Sequence, residues 1–497
     1  MASFSVHSAV VRGAEAVDVC VEVSFTAGIP GVHIVGMPDT SVHEAVARVR
    51  CAMNSCGFTM PRANVTVNLA PGEIKKTGTG LDLPIAVAIL ACSKQIPPDG
   101  LDDCLFVGEL DLNGGVTPVR GTVAFALLAS EKGLAFVHAR EDPQGWLVSE
   151  RERSIQALSQ LRRGVDALGT FGVSGSVAME ANCGSRRCCE LDFADVVDQE
   201  VAKRALVIAA AGSHGVLMVG PPGAGKTMLA RRIPTILPSL SAEDRVEAML
   251  LHSVAGEPLD DLEAGGRPFR APHHSVSSVG LIGGGHPVTP GEISLAHKGV
   301  LFLDELPEFN NLTLQALRQP LEDRRVRIVR ADGTYVFPAD FMFVAAANPC
   351  PCGHLGDPGH TCTCTPARIQ AYQAKMCGPL IDRIDVFIDV ARPSSRKVIR
   401  GSEGLSSELM AEQVAAAREY RSWRSARQRG SGNGLSAVAM EDRAREVLET
   451  LADRKGFGGR GIARVASVAR TIADLAEHEV IGAEEVVEAC SYRPRSE

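Results

Sequence analysis

The alternation of apolar and polar positions divides the chain into four stretches. Over residues 1–170, short runs rich in valine and isoleucine alternate with runs whose apolar positions recur at helical spacing. This pattern predicts strands at residues 19–25, 31–36 and 63–69, and helices at residues 42–53 and 82–92. We therefore expect an α/β domain here. Residues 171–190 lose both periods and are rich in Gly, Ser, Cys and Arg, which indicates a linker.

A second α/β pattern covers residues 191–391. Its apolar runs predict strands at residues 215–219, 300–303 and 341–346. After Arg392 the character changes, because residues 412–429, 441–451 and 464–476 show charged or amphipathic helical patterns. We expect residues 392–497 to form a small α-helical lid on the second α/β unit.

Composition limits the possible surroundings and partners of the chain. Apolar residues make up 45% of its 497 residues and charged residues 22%, which is typical of a globular protein. The net charge of −8 gives no overall attraction to nucleic acid, so any DNA contact needs a local basic surface. The N-terminus lacks a signal-peptide layout, and no apolar run reaches membrane-span length. We therefore expect a cytoplasmic protein with no membrane partner.

A phosphate-binding loop follows the first strand of the second unit. It consists of Gly220, Pro221, Pro222, Gly223, Ala224, Gly225, Lys226 and Thr227 and matches G-x-x-x-x-G-K-[ST] between an apolar strand and a helix. Glycines let backbone N–H groups converge on phosphate oxygens, and a helix N-terminus favours anions. Lys226 would neutralise phosphate charge, and the Thr227 hydroxyl would bind Mg²⁺. ATP and Mg²⁺ are the predicted ligands.

Polar residues follow the next two predicted strands. Asp304 and Glu305 come directly after an apolar run, at the strand end where α/β sheets bind ligands. Asp304 would hold Mg²⁺, and Glu305 would act as the general base that activates water. Asn348 follows the third strand and could orient that water or contact the terminal phosphate. Alternatively, Asn348 merely forms a turn before Pro349.

With these residues in place, the chain resembles the magnesium-chelatase-like AAA+ ATPases, and among them the ComM (YifB) family. The resemblance rests on DVVDQEVAKRAL at 195–206, the phosphate loop, RPFRAPHHSVSSVGLIGGG from 267, PGEISLAHKGVLFLDELPE to 308, NPCPCG at 348–353, GPLIDRID at 378–385 and VARTIADL at 468–475. It implies an AAA+ P-loop αβα core and a homo-oligomeric ring, a hexamer, with ATP between subunits. It further implies a motor acting on branched or single-stranded DNA, with a branch-migration or helicase activity in homologous DNA uptake or recombination.

The resemblance also assigns two arginines. Arg383 would be the finger that reaches into a neighbour's ATP, although it could instead form a salt bridge with Asp382 or Asp385. Arg460 matches the sensor-2 position of the lid, and Arg464 is its rival. The glycines around Arg460 leave the start of this helix open.

The N-terminal stretch resembles the Lon-protease-like domain of this family, which has the ribosomal S5-type fold. An active Lon-type protease needs a Ser–Lys dyad. Residues 76–82 offer glycine where the serine would fall, and residues 122–126 carry no amine. We therefore interpret the domain as non-proteolytic, with a role in binding DNA or a partner protein or in assembling the ring.

A cysteine cluster stands out among the 14 cysteines of the chain. Cys350, Cys352, Cys362 and Cys364 form C-x-C–x₉–C-x-C. Four thiols within one loop could close a structural Zn²⁺ site, although C-x₂-C is the commoner spacing. Alternatively, the loop is a thiol-rich turn without metal.

Two basic stretches could contact DNA. Residues 322–338 predict a β-hairpin that carries Arg324, Arg325, Arg327 and Arg330, with Asp-Gly at its turn. Arg418, Arg421, Arg424, Arg427 and Arg429 recur on one helix at nearly constant spacing. Either surface could instead be simply solvated. Against the DNA motor stand an AAA+ remodelling or chelatase-type ATPase that acts on a protein partner, and a Lon-type protease, which the missing dyad disfavours.

Overall fold

The computed structural model describes residues 3–139, 151–170, 191–357, 359–376, 380, 383–400, 404–427 and 439–493. Its elements form an N-terminal α/β unit, a parallel-sheet unit and a group of C-terminal helices. The predicted mixed α/β class with a parallel sheet is confirmed. Within the described ranges, every helix is too short or too polar to cross a membrane.

An eight-stranded mixed sheet and a two-stranded sheet of β6 and β7 organise the N-terminal unit. The strands of the unit are β1 (Ser3–Arg12), β2 (Glu15–Thr26), β3 (Gly31–Val35), β4 (Asn64–Ala70), β5 (Cys104–Val107), β6 (Glu109–Leu110), β7 (Val116–Thr117), β8 (Ala135–His138), β9 (Glu152–Ser154) and β10 (Gly169–Thr170). Its helices are α1 (Thr40–Ser55), α2 (Asp82–Cys92) and α3 (Thr122–Lys132). The sheet order is β10-β9-β8-β5-β1-β2-β4-β3. Helix α2 is buried along its whole length, because it is apolar all round.

The second unit is built on a five-stranded parallel sheet. Its elements are α4 (Glu200–Gly212), β11 (Val216–Val219), α5 (Lys226–Ile236), α6 (Ala242–Ala255), α7 (Asp260–Glu263), β12 (Phe269–Arg270), α8 (Ser278–Ile282), β13 (Gly283–Gly284), β14 (Thr289–Pro290), α9 (Glu292–Leu295), β15 (Val300–Leu303), α10 (Asn311–Ala316), α11 (Arg318–Asp323), β16 (Arg325–Arg330), β17 (Gly333–Pro338), β18 (Met342–Ala347), α12 (Pro366–Met376) and β19 (Val386–Asp389). The sheet order is β12-β15-β18-β11-β19. Strands β15 and β18 are fully buried, as a parallel sheet covered on both faces requires.

The described C-terminal helices are α13 (Ser395–Arg400), α14 (Ser407–Arg427), α15 (Asp442–Lys455), α16 (Gly459–Leu475) and α17 (Ala483–Ser491). Apolar side chains of α14 to α17 share one buried cluster with α4, α5 and the central strands, whereas Val398 and Ile399 of α13 are exposed. Helix α16 begins at Gly459, earlier than the predicted residue 464. Glycine disfavours helix, but Ile462 packs against the cluster and extends the apolar stripe, so tertiary packing overrides local propensity.

Among the described residues, the N-terminal unit contacts the second unit at several places, which include Lys75 Nζ and His286 Nε2 at 3.1 Å. Val123 of α3 and Met249 of α6 are buried in one apolar cluster, and the Val123 amide donates to Ser253 Oγ at 3.2 Å. At the end of β1, Arg12 Nη2 donates to the carbonyl of Asp332 at 2.8 Å. Asp332 lies at the tip of the β16–β17 hairpin, so the N-terminal unit holds that tip.

Candidate functional site

Three neighbouring parallel strands bring the predicted nucleotide residues together. In the sheet, β18 lies between β11 and β15, and Val219 pairs with Ala347 while Leu303 pairs with Ala345. The phosphate loop, Asn348 and Asp304 each follow one of these strands. Because the carboxyl ends of parallel strands meet at one edge, these residues converge on a single cleft.

The phosphate loop owes its shape to glycine. A Cβ on Gly220 would lie 2.1 Å from the carbonyl oxygen of Val390, so no side chain fits where the loop leaves β11. Gly225 has φ +91°, a conformation that glycine adopts without strain. It caps α5, which begins at Lys226. The free N–H groups of the first turn of α5 therefore face the loop, as anion binding requires.

Lys226 lies inside this loop. Its Nζ donates to the carbonyl oxygens of Gly220 at 2.6 Å and Pro221 at 3.1 Å, and to Asn348 Oδ1 at 3.1 Å. Burial lowers the pKa of the Lys226 ammonium, and the carboxylates of Asp304 and Glu305 oppose that shift. The amine and the Asn348 amide thus face the same small volume where phosphate oxygens would lie.

Asp304 and Glu305 point in different directions from the end of β15. Thr227 Oγ1 donates to Asp304 Oδ2 at 2.7 Å, so a hydroxyl and a carboxylate oxygen lie side by side, the oxygen donor set that Mg²⁺ prefers. Glu305 has φ +51°, a left-handed conformation that is uncommon for a non-glycine residue. Its carboxylate is 53% exposed in the cleft. Strained backbone of this kind is concentrated at functional sites.

Two histidines that the sequence analysis gave no role also line this cleft. His273 and His274 follow β12, the neighbour of β15, and their rings lie 4.0 Å apart. His274 Nδ1 is 3.8 Å from Glu305 Oε2. Arg231 of α5 lines the cleft as well. The available signal was the APHH run at residues 271–274, but its place beside Glu305 depends on the order of the strands in the sheet.

The structure places the two arginines assigned by resemblance, Arg383 and Arg460, in different surroundings. Arg383 forms an ion pair with Glu322, and its side chain is 13% exposed. Asp385, one of the two predicted alternative partners of Arg383, binds Arg464 and lies 3.2 Å from His214 Nδ1. Asp382 lies outside the described residues.

The two candidate sensor-2 arginines differ in their surroundings. Arg460 is exposed in the first turn of α16, whereas its rival Arg464 forms an ion pair with Asp385 at the start of β19. The contact of Arg464 joins α16 to the sheet. Arg460 is therefore the one with a side chain open to solvent.

The four cysteines form one cluster. Cys350 Sγ lies 3.4 Å from Cys352 Sγ and 3.7 Å from Cys362 Sγ, Cys352 Sγ and Cys362 Sγ are 3.6 Å apart, and the four sulfurs, with that of Cys364, all lie within 4.8 Å of one another. A tetrahedron with metal–sulfur bonds of about 2.3 Å has sulfur–sulfur edges of about 3.8 Å. A disulfide would need about 2.05 Å. The cluster therefore has the dimensions of a metal site and could hold an ion.

The pKa values of Cys352 and Cys362 are shifted in opposite directions, which is compatible with metal binding by the cluster. Backbone N–H groups of His354 and Thr363 lower the pKa of Cys352 to about 5. For Cys362 the Cys364 amide acts in the same direction, but burial and the neighbouring thiols raise its pKa to about 12. A thiolate beside thiols is a ready ligand set, because metal binding releases the remaining protons.

The arginines of the β16–β17 hairpin do not share a face. Strand β16 alternates, with Arg325 and Arg327 exposed and Val326 buried. On the facing strand, Val336 lies opposite Arg327. Arg330 belongs to the other face, where its Nη2 would lie 3.1 Å from a Cβ on Gly284. One open surface therefore carries two arginines, and we call it the hairpin face.

The second predicted basic surface is wrong in part. Arg418 is turned inward, donating to the Ala210 carbonyl at 2.6 Å, and burial lowers its pKa to about 10 with Arg267 and Arg421 adding to the shift. Arg424 makes a two-point ion pair with buried Asp474 at 2.9 and 3.1 Å. These two arginines fasten α14 to the molecule instead of forming a DNA surface. Arg429 lies outside the described residues.

The chain is similar to known proteins along nearly its whole length. Family descriptions match at residues 192–398 (magnesium chelatase, subunit ChlI), 21–142 (subunit ChlI of Mg-chelatase) and 404–493 (magnesium chelatase, subunit ChlI C-terminal). Uncharacterized protein YifB of Escherichia coli is 38% identical over 510 residues, covering 98% of this chain and 96% of YifB. Competence protein ComM of Haemophilus influenzae is 37% identical over 495 residues, covering 98% and 97%. An uncharacterized protein of Mycobacterium tuberculosis is 38% identical over 510 residues, covering 99% of each.

Proposed function

Because the chain belongs to the magnesium-chelatase-like family that includes YifB and ComM, we propose that it is an ATP-driven motor that moves DNA. This family is of the AAA+ ATPase type. One observation supports ATP hydrolysis above the others: at the carboxyl ends of neighbouring strands, Lys226 donates to Asn348 and Thr227 donates to Asp304. A buried amine, a hydroxyl–carboxylate pair and a loop of converging N–H groups fit a Mg²⁺–ATP complex.

The chain's own residues would divide the work as follows. Lys226 would bind the β- and γ-phosphate oxygens, with the N-terminus of α5 beside it, and Thr227 and Asp304 would hold Mg²⁺. Mg²⁺, when bound, neutralises phosphate charge. Glu305 would take a proton from the attacking water, and Asn348 would orient that water.

We also propose a ring, a hexamer in which Arg383 reaches the ATP of a neighbour and Arg460 acts as sensor 2. The lid would be residues 392–497, the core residues 191–391 and the linker residues 171–190. The Lon-like domain, residues 1–170, would serve assembly or partner binding, and we assign it no protease activity. Ring formation would let one subunit complete the ATP site of the next.

The DNA assignment rests on the hairpin face. Arg325 and Arg327 are exposed on it, and the hairpin lies between the strand of Asp304 and the strand of Asn348 in the chain. Hydrolysis at those residues could therefore shift the hairpin along a phosphate backbone. The relative named competence protein ComM supports homologous DNA uptake or recombination as the setting, with a branch-migration or helicase activity.

A protein target is the second candidate. Val329 is 71% exposed and Val336 is 42% exposed on the same hairpin face. Exposed apolar side chains of this kind favour contact with another protein. The motor would then be a remodelling or chelatase-type ATPase.

ATP turnover with and without forked and four-way DNA tests the assignment. We expect DNA to raise turnover, and Arg325→Ala/Arg327→Ala to keep basal turnover but lose the increase. Losing two phosphate contacts should reduce the slope of log affinity against log salt by about 2. Arg443→Ala/Arg454→Ala, which removes two exposed arginines from α15, is the matched control and should behave as wild type. If no DNA binds or changes turnover, the protein target becomes the better assignment.

A further inference from the structure

The loop that carries the four cysteines lies directly against the phosphate loop. A Cβ placed on Gly353 would be 2.5 and 2.7 Å from ring atoms of Pro222, so the two loops touch with no room for a methyl group. Gly353 follows Cys352 and has φ +83°, which only glycine adopts without strain. The cysteine loop therefore packs directly against the phosphate loop at Pro222.

Arg392 ties the same two loops together. Its Nε donates to the carbonyl oxygen of Pro222 at 3.3 Å, and its Nη2 lies 3.4 Å from Asp357 Oδ2. The Asp357 carboxylate is 3% exposed, and it also lies 3.3 Å from the ring nitrogens of His354 and His360. Arg392 thus connects the phosphate loop at Pro222 to the Asp357 carboxylate of the cysteine loop.

A third connection runs along the chain. Asn348 accepts from Lys226 Nζ at 3.1 Å, and Cys350 lies two residues later with its side chain buried. The segment from Asn348 to the start of α12 contains no helix or strand in its described part. A segment of this kind pays a large entropy cost to become ordered, and a metal ion that joins four of its side chains reduces that cost.

We propose that Zn²⁺ on Cys350, Cys352, Cys362 and Cys364 holds Gly353 and Asp357 against Pro222 and so sets the affinity of the phosphate loop for nucleotide. The site is structural, because four sulfur ligands leave no position open for catalysis. The proposal rests on the nucleotide site proposed above and adds that metal loading controls it. Preorganising a loop raises affinity by lowering the ordering cost of binding.

The test measures zinc content and nucleotide affinity on the same protein. Full-length protein purified without chelators is analysed by elemental analysis and titrated with a fluorescent ADP analogue. The titration is repeated after extraction with a zinc-selective chelator and again after Zn²⁺ is returned. We expect about one zinc per chain, about a tenfold loss of affinity on extraction, and recovery on reloading.

Three variants separate metal from contact. Cys352→Ser should lose zinc and affinity together, whereas Cys51→Ser, an exposed cysteine of α1, should match wild type. Arg392→Ala should keep zinc yet bind nucleotide more weakly, because it removes the bridge from Pro222 to Asp357 and His360 and leaves the four cysteines in place. If Cys352→Ser fails to fold, the extraction of wild-type protein still decides the question.

Each contrary result has its own meaning. A wild-type protein without zinc overturns the metal site and this inference. Zinc-loaded protein that binds no nucleotide overturns the proposed nucleotide site. Zinc-depleted protein that keeps both its fold and its nucleotide affinity overturns the inference alone.

Discussion

Lys226 and Glu305 occupy one cleft but in opposite environments. The amine is buried and its pKa is lowered by that burial, whereas the carboxylate is half exposed on left-handed backbone. Binding of an anion suits the first environment, since buried positive charge gains from a phosphate partner. Proton transfer from water suits the second, because the carboxylate can reach solvent. The two residues should therefore fail in different ways.

Lys226→Ala should abolish nucleotide binding, and Glu305→Gln should bind ATP while hydrolysing it very slowly. A lost general base typically costs about 10²–10⁴ in turnover. Equilibrium binding of ATP and single-turnover hydrolysis separate the two effects. Glu308→Gln, an exposed carboxylate three residues along, is the matched control. Normal turnover by Glu305→Gln would remove Glu305 from the mechanism.

Among single residues, the sequence predicted those that belong to a motif with defined spacing. It missed those whose position depends on tertiary packing. The phosphate loop and Asp304 follow from motif positions, and the structure brings them together. His274 could not be predicted, because its contact with Glu305 depends on β12 pairing with β15. Arg418 was misassigned, since only tertiary structure shows that it is buried against the end of α4.

The Asp385 carboxylate connects three elements, β19, α4 and α16. Asp385 at the start of β19 accepts from His214 after α4 and pairs with Arg464 of α16. Burial alone would raise its pKa, but His214 and Arg464 outweigh burial and leave the pKa below its ordinary value. Helix α16, the sheet and α4 thus share one electrostatic contact.

Asp385→Asn should lower the free energy of unfolding by about 3 kcal/mol, because it breaks a buried ion pair and leaves Arg464 without its charge partner. Because the pKa of Asp385 is lower in the folded protein than in the unfolded chain, its charged form stabilises the fold at pH values above about 4, the pKa in the unfolded chain. This stabilisation is lost as the pH falls through the lower pKa of the folded protein. Urea unfolding of wild type should therefore show stability lost on acidification, with a smaller loss in the variant. Asp389→Asn, exposed on the same strand, is the control; an equal effect there would refute the assignment.

Element bounds were largely predictable, and element faces were not. Helix α2 has the predicted limits, because apolar runs determine strands and helices locally. The start of α16 was missed, since glycine propensity and tertiary packing compete there. Alternation along β16 places Arg327 and Arg330 on opposite faces, but only the β16–β17 register shows that Val336 lies beside Arg327 on the hairpin face.

For the whole molecule, the question is whether subunits complete each other's sites. Arg383 is paired with Glu322 within its own chain, so reaching a neighbour would require it to exchange that carboxylate for a phosphate. Exchange of this kind is favourable where transition-state charge develops. The contact of α3 with α6 could not be predicted from periodicity, because it depends on how the side chains fit together.

Mixing Arg383→Ala with Lys226→Ala should restore part of the ATPase activity that each variant lacks. In a mixed ring, some interfaces join an intact Lys226 to an intact Arg383. ATP turnover across a series of mixing ratios measures this. Lys226→Ala mixed with the double variant should stay inactive, because every such interface lacks Lys226. Full activity of Arg383→Ala alone would contradict the finger assignment.

The bond from Arg12 to the tip of the β16–β17 hairpin has a mechanical consequence. Tyr335 of the hairpin reinforces that tip, with its hydroxyl donating to Asp332 at 2.8 Å. Because Arg12 holds the tip of the hairpin, any movement of the hairpin acts on the N-terminal unit. If the hairpin swings, it must either release Arg12 or carry the N-terminal unit along. In the second case, each movement of the hairpin would displace the N-terminal unit, outside the nucleotide cleft.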